Sequence, residues 1–92
     1  MTPSYIEPQV LHRRLDELVA ELVGQGRLSS LVAVDEVEAQ HDDGSPITFV
    51  RVRFRVGESF RTVTLSRTQA EDFVAGHRRS EIETILISHL SE

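Results

Sequence analysis

Between Val50 and Val56 the chain alternates apolar and arginine residues without a miss, Val50-Arg51-Val52-Arg53-Phe54-Arg55-Val56, and then reads Gly57-Glu58. Successive side chains of a β-strand point to opposite faces, so this run sends three guanidiniums to one side of a sheet and its apolar groups to the other. Glycine first in a two-residue loop suits a type II′ hairpin, which joins this strand, about Ile47 to Val56, to another from Ser59 to Leu65. The loop fixes the register. It pairs Phe54 with Arg61, Val52 with Val63 and Val50 with Leu65 on one face, and Arg55 with Phe60, Arg53 with Thr62 and Arg51 with Thr64 on the other. A slip of one residue would scatter the aliphatics over both faces, so the pattern itself specifies the pairing.

The rest of the chain supplies helices and one more strand. From Pro8 to about Val23, Leu11, Leu15, Leu18, Val19 and Leu22 draw a single apolar stripe at helical spacing. Pro8 fits a first turn, and Gly24 or Gly26 offers the positive φ that ends many helices. After Arg27 the alternation returns, with Leu31, Ala33, Asp35, Val37 and Ala39 on one parity and Val32, Val34, Glu36, Glu38 and Gln40 on the other. The polar, turn-forming stretch His41-Asp42-Asp43-Gly44-Ser45-Pro46 joins this strand to the next. Continuous parity sets Val37 near Val50 and Ala33 near Phe54, and brings Glu36 and Glu38 within reach of Arg51 and Arg53. Asp35 interrupts the apolar parity, and a bulge near Asp35-Glu36 turns it outward. Ser66 with Gln69, and Ser80 with Glu83, match the capping pattern at two helix starts. The first of these helices carries Ala70, Phe73, Val74 and His77 on one face and is interrupted by Gly76; the second carries Ile82, Ile85, Leu86, His89 and Leu90 inward.

These elements predict one α+β domain over residues 1–92: an N-terminal helix, a three-stranded antiparallel meander and two C-terminal helices. The helices are expected on the sheet face made by Leu31, Ala33, Val37, Val50, Val52, Phe54, Val63 and Leu65. Ninety-two residues, 39% hydrophobic and 27% charged, suit a single soluble domain and not a disordered chain. The start Met1-Thr2-Pro3-Ser4-Tyr5-Ile6-Glu7 has no basic, apolar leader, and no apolar stretch approaches the roughly 20 residues that span a bilayer, so cytoplasm is the expected location and no membrane the expectation.

Function is less legible than fold. Cysteine is absent, which excludes disulfides and thiolate chemistry. There is no Gly-x-Ser-x-Gly motif and no glycine-rich phosphate loop, and His12, His41, His77 and His89 form no metal-ligand spacing, so no enzyme, metal or cofactor is expected. His41-Asp42-Asp43 offers oxygen and nitrogen ligands but lacks the glycine and glutamate spacing of a calcium loop.

All ten basic residues are arginine, whose planar donors suit carboxylate or phosphate. The sharpest candidate is therefore the face that holds Arg51, Arg53 and Arg55 and, by parity, Val32, Val34, Phe49 and Phe60. Aromatic, aliphatic and arginine side chains together are the composition enriched at protein interfaces. A homodimer through this face or along a sheet edge is the leading expectation, another protein the next.

The alternative is an anion or nucleic-acid binder using Arg51, Arg53 and Arg55, with Arg78 and Arg79 as a second basic patch at a helix entrance. The net charge of −5 disfavours general phosphate-backbone binding. A small-ligand pocket between helices and sheet is a third possibility. The order helix, three antiparallel strands, helix resembles double-stranded RNA-binding domains in topology alone. Those domains carry a lysine-rich entrance to the helix after the third strand, where this chain reads Ser66-Arg67-Thr68-Gln69-Ala70-Glu71-Asp72 and would repel phosphate.

Overall fold

The computed structural model describes residues 7–41 and 47–91, so the turn segment 42–46, with its candidate ligands Asp42 and Asp43, and the N-terminal residues 1–6 lie outside the described residues. The order of elements is α1 (Pro8–Gly24), β1 (Val32–His41), β2 (Ile47–Val56), β3 (Ser59–Ser66), α2 (Arg67–Val74) and α3 (Arg79–Leu90). The strands form one antiparallel sheet in the order β1-β2-β3. This is the expected α+β architecture.

The apolar stripe of α1 is buried along its whole length at Leu11, Leu15, Leu18, Val19 and Leu22, against the sheet residues Val50, Val52, Phe54, Val63 and Leu65. Helix α1 lies against β1, α2 against β2 and β3, and α3 against β3. All three helices therefore cover the same face. Pro8 opens α1, and the helix closes with Gly26 at φ 73°, while the N–H groups of Gly26 and Arg27 reach back to the carbonyls of Val23 and Leu22. This paired closure satisfies carbonyls that a bare helix end would leave open.

The β2–β3 hairpin has the register read from the sequence, from Val56 opposite Ser59 to Val50 opposite Leu65. Gly57 takes φ 63° and Glu58 does not enter the left-handed region, as a type II′ loop requires. The β1–β2 pairing differs from continuous parity. A register shift between Val34 and Glu36 inserts one extra residue, so that Asp35 and Glu36 together face Arg53. Upstream of this bulge every side chain changes face.

Val34 thus pairs with Phe54 and Val32 with Val56, both valines buried, while Ala33 pairs with Arg55 on the other face and Leu31 is 60% exposed. Val37 pairs with Val52, not Val50. The expected core places of Leu31 and Ala33 are therefore taken by Val32 and Val34. Glu36 pairs with Arg53 and Glu38 with Arg51, so the two carboxylates do come within reach of these arginines, in a register shifted from the expected one.

The C-terminal helices also depart from expectation at their ends. The Ser66–Gln69 capping box is present at α2. That helix stops at Val74, with Gly76 at φ 93° and the N–H groups of Gly76 and His77 bonded back to Phe73 and Asp72, so His77 is an exposed loop residue and not part of an apolar face. Helix α3 starts at Arg79 without a Ser80 cap. Its N-cap is Arg78, at φ 57°, whose guanidinium is held by Asp72. Ile82, Leu86 and Leu90 point into the core at one-turn spacing; His89 is exposed, its Nδ1 2.8 Å from the carbonyl of Ile85. Arg61, on the helix-bearing face of β3, donates to the carbonyls of His89 at 3.0 Å and Ser91 at 3.3 Å. A cation at this end complements the helix dipole.

Candidate interaction surface

With the three helices on one side, the other face of the sheet is covered by no element among the described residues. Three strands build it in three different chemistries. Strand β1 contributes Asp35, Glu36 and Glu38; β2 contributes Phe49, Arg51, Arg53 and Arg55; β3 contributes Phe60, Thr62 and Thr64. The carboxylates of β1 equal the guanidiniums of β2 in number, so these two rows sum to zero on a chain whose formal charge is −5.

The charges are engaged unevenly. Arg53 donates from Nε to Asp35 at 2.6 Å and from its terminal nitrogen to Glu36 at 3.2 Å. The hydrogen bond to Asp35, then the charges of Asp35, Glu36 and Glu38, hold this guanidinium above its ordinary pKa. The bulge explains this geometry, because two successive side chains opposite one residue both point its way. Arg51 and Arg55 form no ion pair among the described residues, and neither does Glu38.

Aromatic rings lie beneath the arginines. The Arg51 guanidinium carbon sits 5.9 Å from the centre of the Phe49 ring, and that of Arg53 5.2 Å from the Phe60 ring. Such stacking holds a long side chain flat and ready for contact. Phe60 is nonetheless 57% exposed, and with Leu31 it forms the exposed large hydrophobic pair of the described residues. Both lie at the hairpin end of the sheet, where Leu31 accepts a hydrogen bond from the Gly57 N–H at 3.2 Å and Phe60 is the strand partner of Arg55. A shallow polar depression of about 220 Å³ opens between Glu36, Glu38, Arg51, Arg53 and Thr62.

Of the residues expected on this face, Phe49, Arg51, Arg53, Arg55 and Phe60 are there. Val32 and Val34 are not: the bulge turns both into the core. Sequence parity missed Ala33 and Leu31, which occupy the positions those valines were expected to hold. The signal was present, since a bulge that turns Asp35 outward must also invert everything before it.

The second basic patch is neutralised within the chain. Arg78 is held by Asp72 and lies 3.5 Å from Glu81, and Arg79 bridges Glu21 and Glu83. Hydrogen bonds to Asp72 and Glu21 respectively raise the two guanidiniums above their ordinary pKa. These arginines fasten α3 to α2 and α1. Beside them a cleft of about 140 Å³ between α1 and the α2–α3 turn is lined by Arg14, Glu17, Leu18, Glu21, Phe73 and Arg79, with carboxylates at its rim. Among the described residues no three histidine, aspartate or glutamate side chains are grouped to hold a metal ion, and no helix is long and apolar enough to cross a membrane. Comparison with protein-family models, with curated proteins and with solved structures finds no match.

Proposed function

We propose that this chain is a small non-catalytic protein-interaction module that self-associates through the arginine- and phenylalanine-bearing face of its sheet. One observation carries the reading: that face presents an acidic row and an arginine row side by side on neighbouring strands, with zero formal sum and no covering element among the described residues. A two-fold axis running along the strands between β1 and β2 lays β1 of one copy over β2 of the other. Sheets packed face to face stand about 10 Å apart, a gap that long arginine and glutamate side chains fill. Glu38 then meets the partner copy's arginine row at the level of Arg51, so these two charges, unpaired in one copy, find partners in the second, while Arg55 lies at the level of Ala33. Phe60 and Leu31 flank the contact at the hairpin end, where apolar area removed from water adds to it.

An anion or nucleic-acid reading draws on the same Arg51 and Arg55, which lack carboxylate partners among the described residues. The adjacent acidic row of β1 works against it, because a phosphate chain laid on β2 would lie one strand spacing from three carboxylates.

The test uses charge reversal in trans. Glu38→Arg and Arg51→Glu, each alone, put like charges across the two-fold and should abolish the face-to-face contact, read by sedimentation equilibrium as weakened association. Mixed in equal amounts they should form a heterodimer, because each variant supplies the charge the other lacks. Wild-type chain that stays monomeric at high micromolar concentration, or variants that fail to recover on mixing, would overturn the reading. Tight, steeply salt-dependent binding of a DNA or RNA duplex would establish the anion reading in its place.

A further inference from the structure

The two edges of the sheet are built differently, and the difference points to a second contact. Strand β1 is guarded: it carries a bulge at Asp35 and the three carboxylates Asp35, Glu36 and Glu38, which are devices that keep foreign strands off an edge. Strand β3 has none of them. It pairs with β2 from Ser59 to Ser66 without a register shift, and it contains no proline, no carboxylate and no lysine.

The hairpin loop decides which backbone groups of β3 are free. A two-residue loop makes Val56 and Ser59 a hydrogen-bonded pair, so Arg61, Val63 and Leu65 exchange ladder bonds with β2, and the alternate residues Phe60, Thr62 and Thr64 turn N–H and C=O outward. Ser66, next in that alternation, directs its N–H away from β2 to Gln69 Oε1 at 2.9 Å, as the pattern requires. Phe60, Thr62 and Thr64 have no such partner among the described residues. The one charge on β3, Arg61, is turned to the helix side and occupied by the last carbonyls of α3, so it does not guard the edge.

We infer that β3 pairs antiparallel with β3 of a second copy across a two-fold axis at Thr62, joining two sheets into one continuous six-stranded sheet. The register follows from the free groups. Only with Thr62 opposite its own copy do all three outward residues find partners, Phe60 facing Thr64 and Thr64 facing Phe60; a shift of two residues toward the hairpin loses one of these pairs, and a shift the other way requires the Ser66 N–H already used in the α2 cap. Phe60 beside Thr64 is an aromatic and β-branched cross-strand pair of the favourable kind, and no like charges face each other, because Arg61 lies opposite Val63. This contact goes beyond the face-to-face association proposed above and is separable from it, since the charge pairs of the face contact lie on β1 and β2 while the edge contact uses the outward backbone groups of β3.

The experiment is amide hydrogen exchange by NMR on wild-type chain at micromolar and near-millimolar concentration, with sedimentation equilibrium on Thr62→Pro. The Thr62 N–H points away from β2, so proline there removes an outward donor and leaves the internal ladder intact. Exchange at Phe60, Thr62 and Thr64 should slow about tenfold or more as concentration rises, while other exposed amides do not change. Species larger than a dimer should be lost in Thr62→Pro and a face-to-face dimer retained; Glu38→Arg should retain an edge dimer, and the double variant should be monomeric. Concentration-independent exchange at those three amides in wild type would overturn the edge contact even if Thr62→Pro fails to fold. The face reading fails separately, if Glu38→Arg leaves association unchanged.

Discussion

Placing a carboxylate at Val34 or at Ala33, adjacent residues, should have opposite consequences because the bulge at Asp35 decides which of them is inside. Val34 is 9% exposed and faces Phe54, which is fully buried. Replacing Val34 with Asp gives up about 1.5 to 3 kcal/mol of apolar burial and adds several kcal/mol for a carboxylate with no partner in the core. A domain of this size has roughly 5 to 14 kcal/mol of total stability, so Val34→Asp should remove most or all of it. Ala33 pairs with Arg55 on the uncovered face, and Ala33→Asp should change stability by no more than about 0.5 to 1 kcal/mol, in the stabilising direction at low salt. Urea titration followed by far-ultraviolet circular dichroism reads both variants. Val34→Asp should lose a cooperative transition or drop its midpoint by more than half, and Ala33→Asp should keep the wild-type midpoint. If Ala33→Asp is the damaging change and Val34→Asp is tolerated, the alternation runs straight through β1 and the bulge assignment is wrong.

Three further perturbations address separate parts of the fold. Deleting Asp35 removes the extra residue and turns Val32 and Val34 to solvent, which should cost about 3 to 5 kcal/mol of apolar burial in a thermal or urea melt; an unchanged midpoint would mean the strand slips without penalty. Ser66→Ala removes the Oγ acceptor of the Gln69 N–H, leaves the backbone half of the α2 capping box in place and should lower stability by about 1 kcal/mol, measured by the same titration, with Ser80→Ala near neutral because Ser80 caps nothing. Gly76→Ala meets no atom within 4 Å, yet φ 93° should make it destabilising by about 1 kcal/mol or more; an equal or higher melting temperature would show that the α2–α3 turn has relaxed.

The parts that could be read from sequence are those in which one local signal closes the argument. A two-residue loop with glycine first, flanked by strict alternation, leaves one sensible register, and β2 and β3 adopt it. The α1 stripe and its proline and glycine ends are similarly self-contained. What escaped depends on residues far apart in the chain. Leu31 and Ala33 are as apolar as Val32 and Val34, so parity alone cannot choose between them; the choice is made by Arg53, which draws Asp35 and Glu36 to the same side and so flips the four residues before them. At α3 the pattern Ser80-x-x-Glu83 matched a capping box, but Glu83 is engaged by Arg79 and Arg27 and the helix is started two residues earlier by the Arg78–Asp72 contact. Tertiary contacts outweighed a correct local propensity.

The arginine row shows the same limit at the level of function. Its existence on one face was legible, and its position is as read, but its electrostatic character is set by neighbours on another strand. Arg53 is saturated by two carboxylates while Arg51 and Arg55, on either side of it, have none among the described residues, so the row offers two separated cations and not a continuous positive track. A polyanion needs the continuous track, because its phosphates recur at short intervals and the β1 carboxylates would sit beside each of them. A protein surface with an acidic residue at a matching position needs only a separated cation, and a second copy of this chain carries such a residue, Glu38, at the level of Arg51. That is why the balance of charge on two strands, more than the arginines themselves, favours a protein partner.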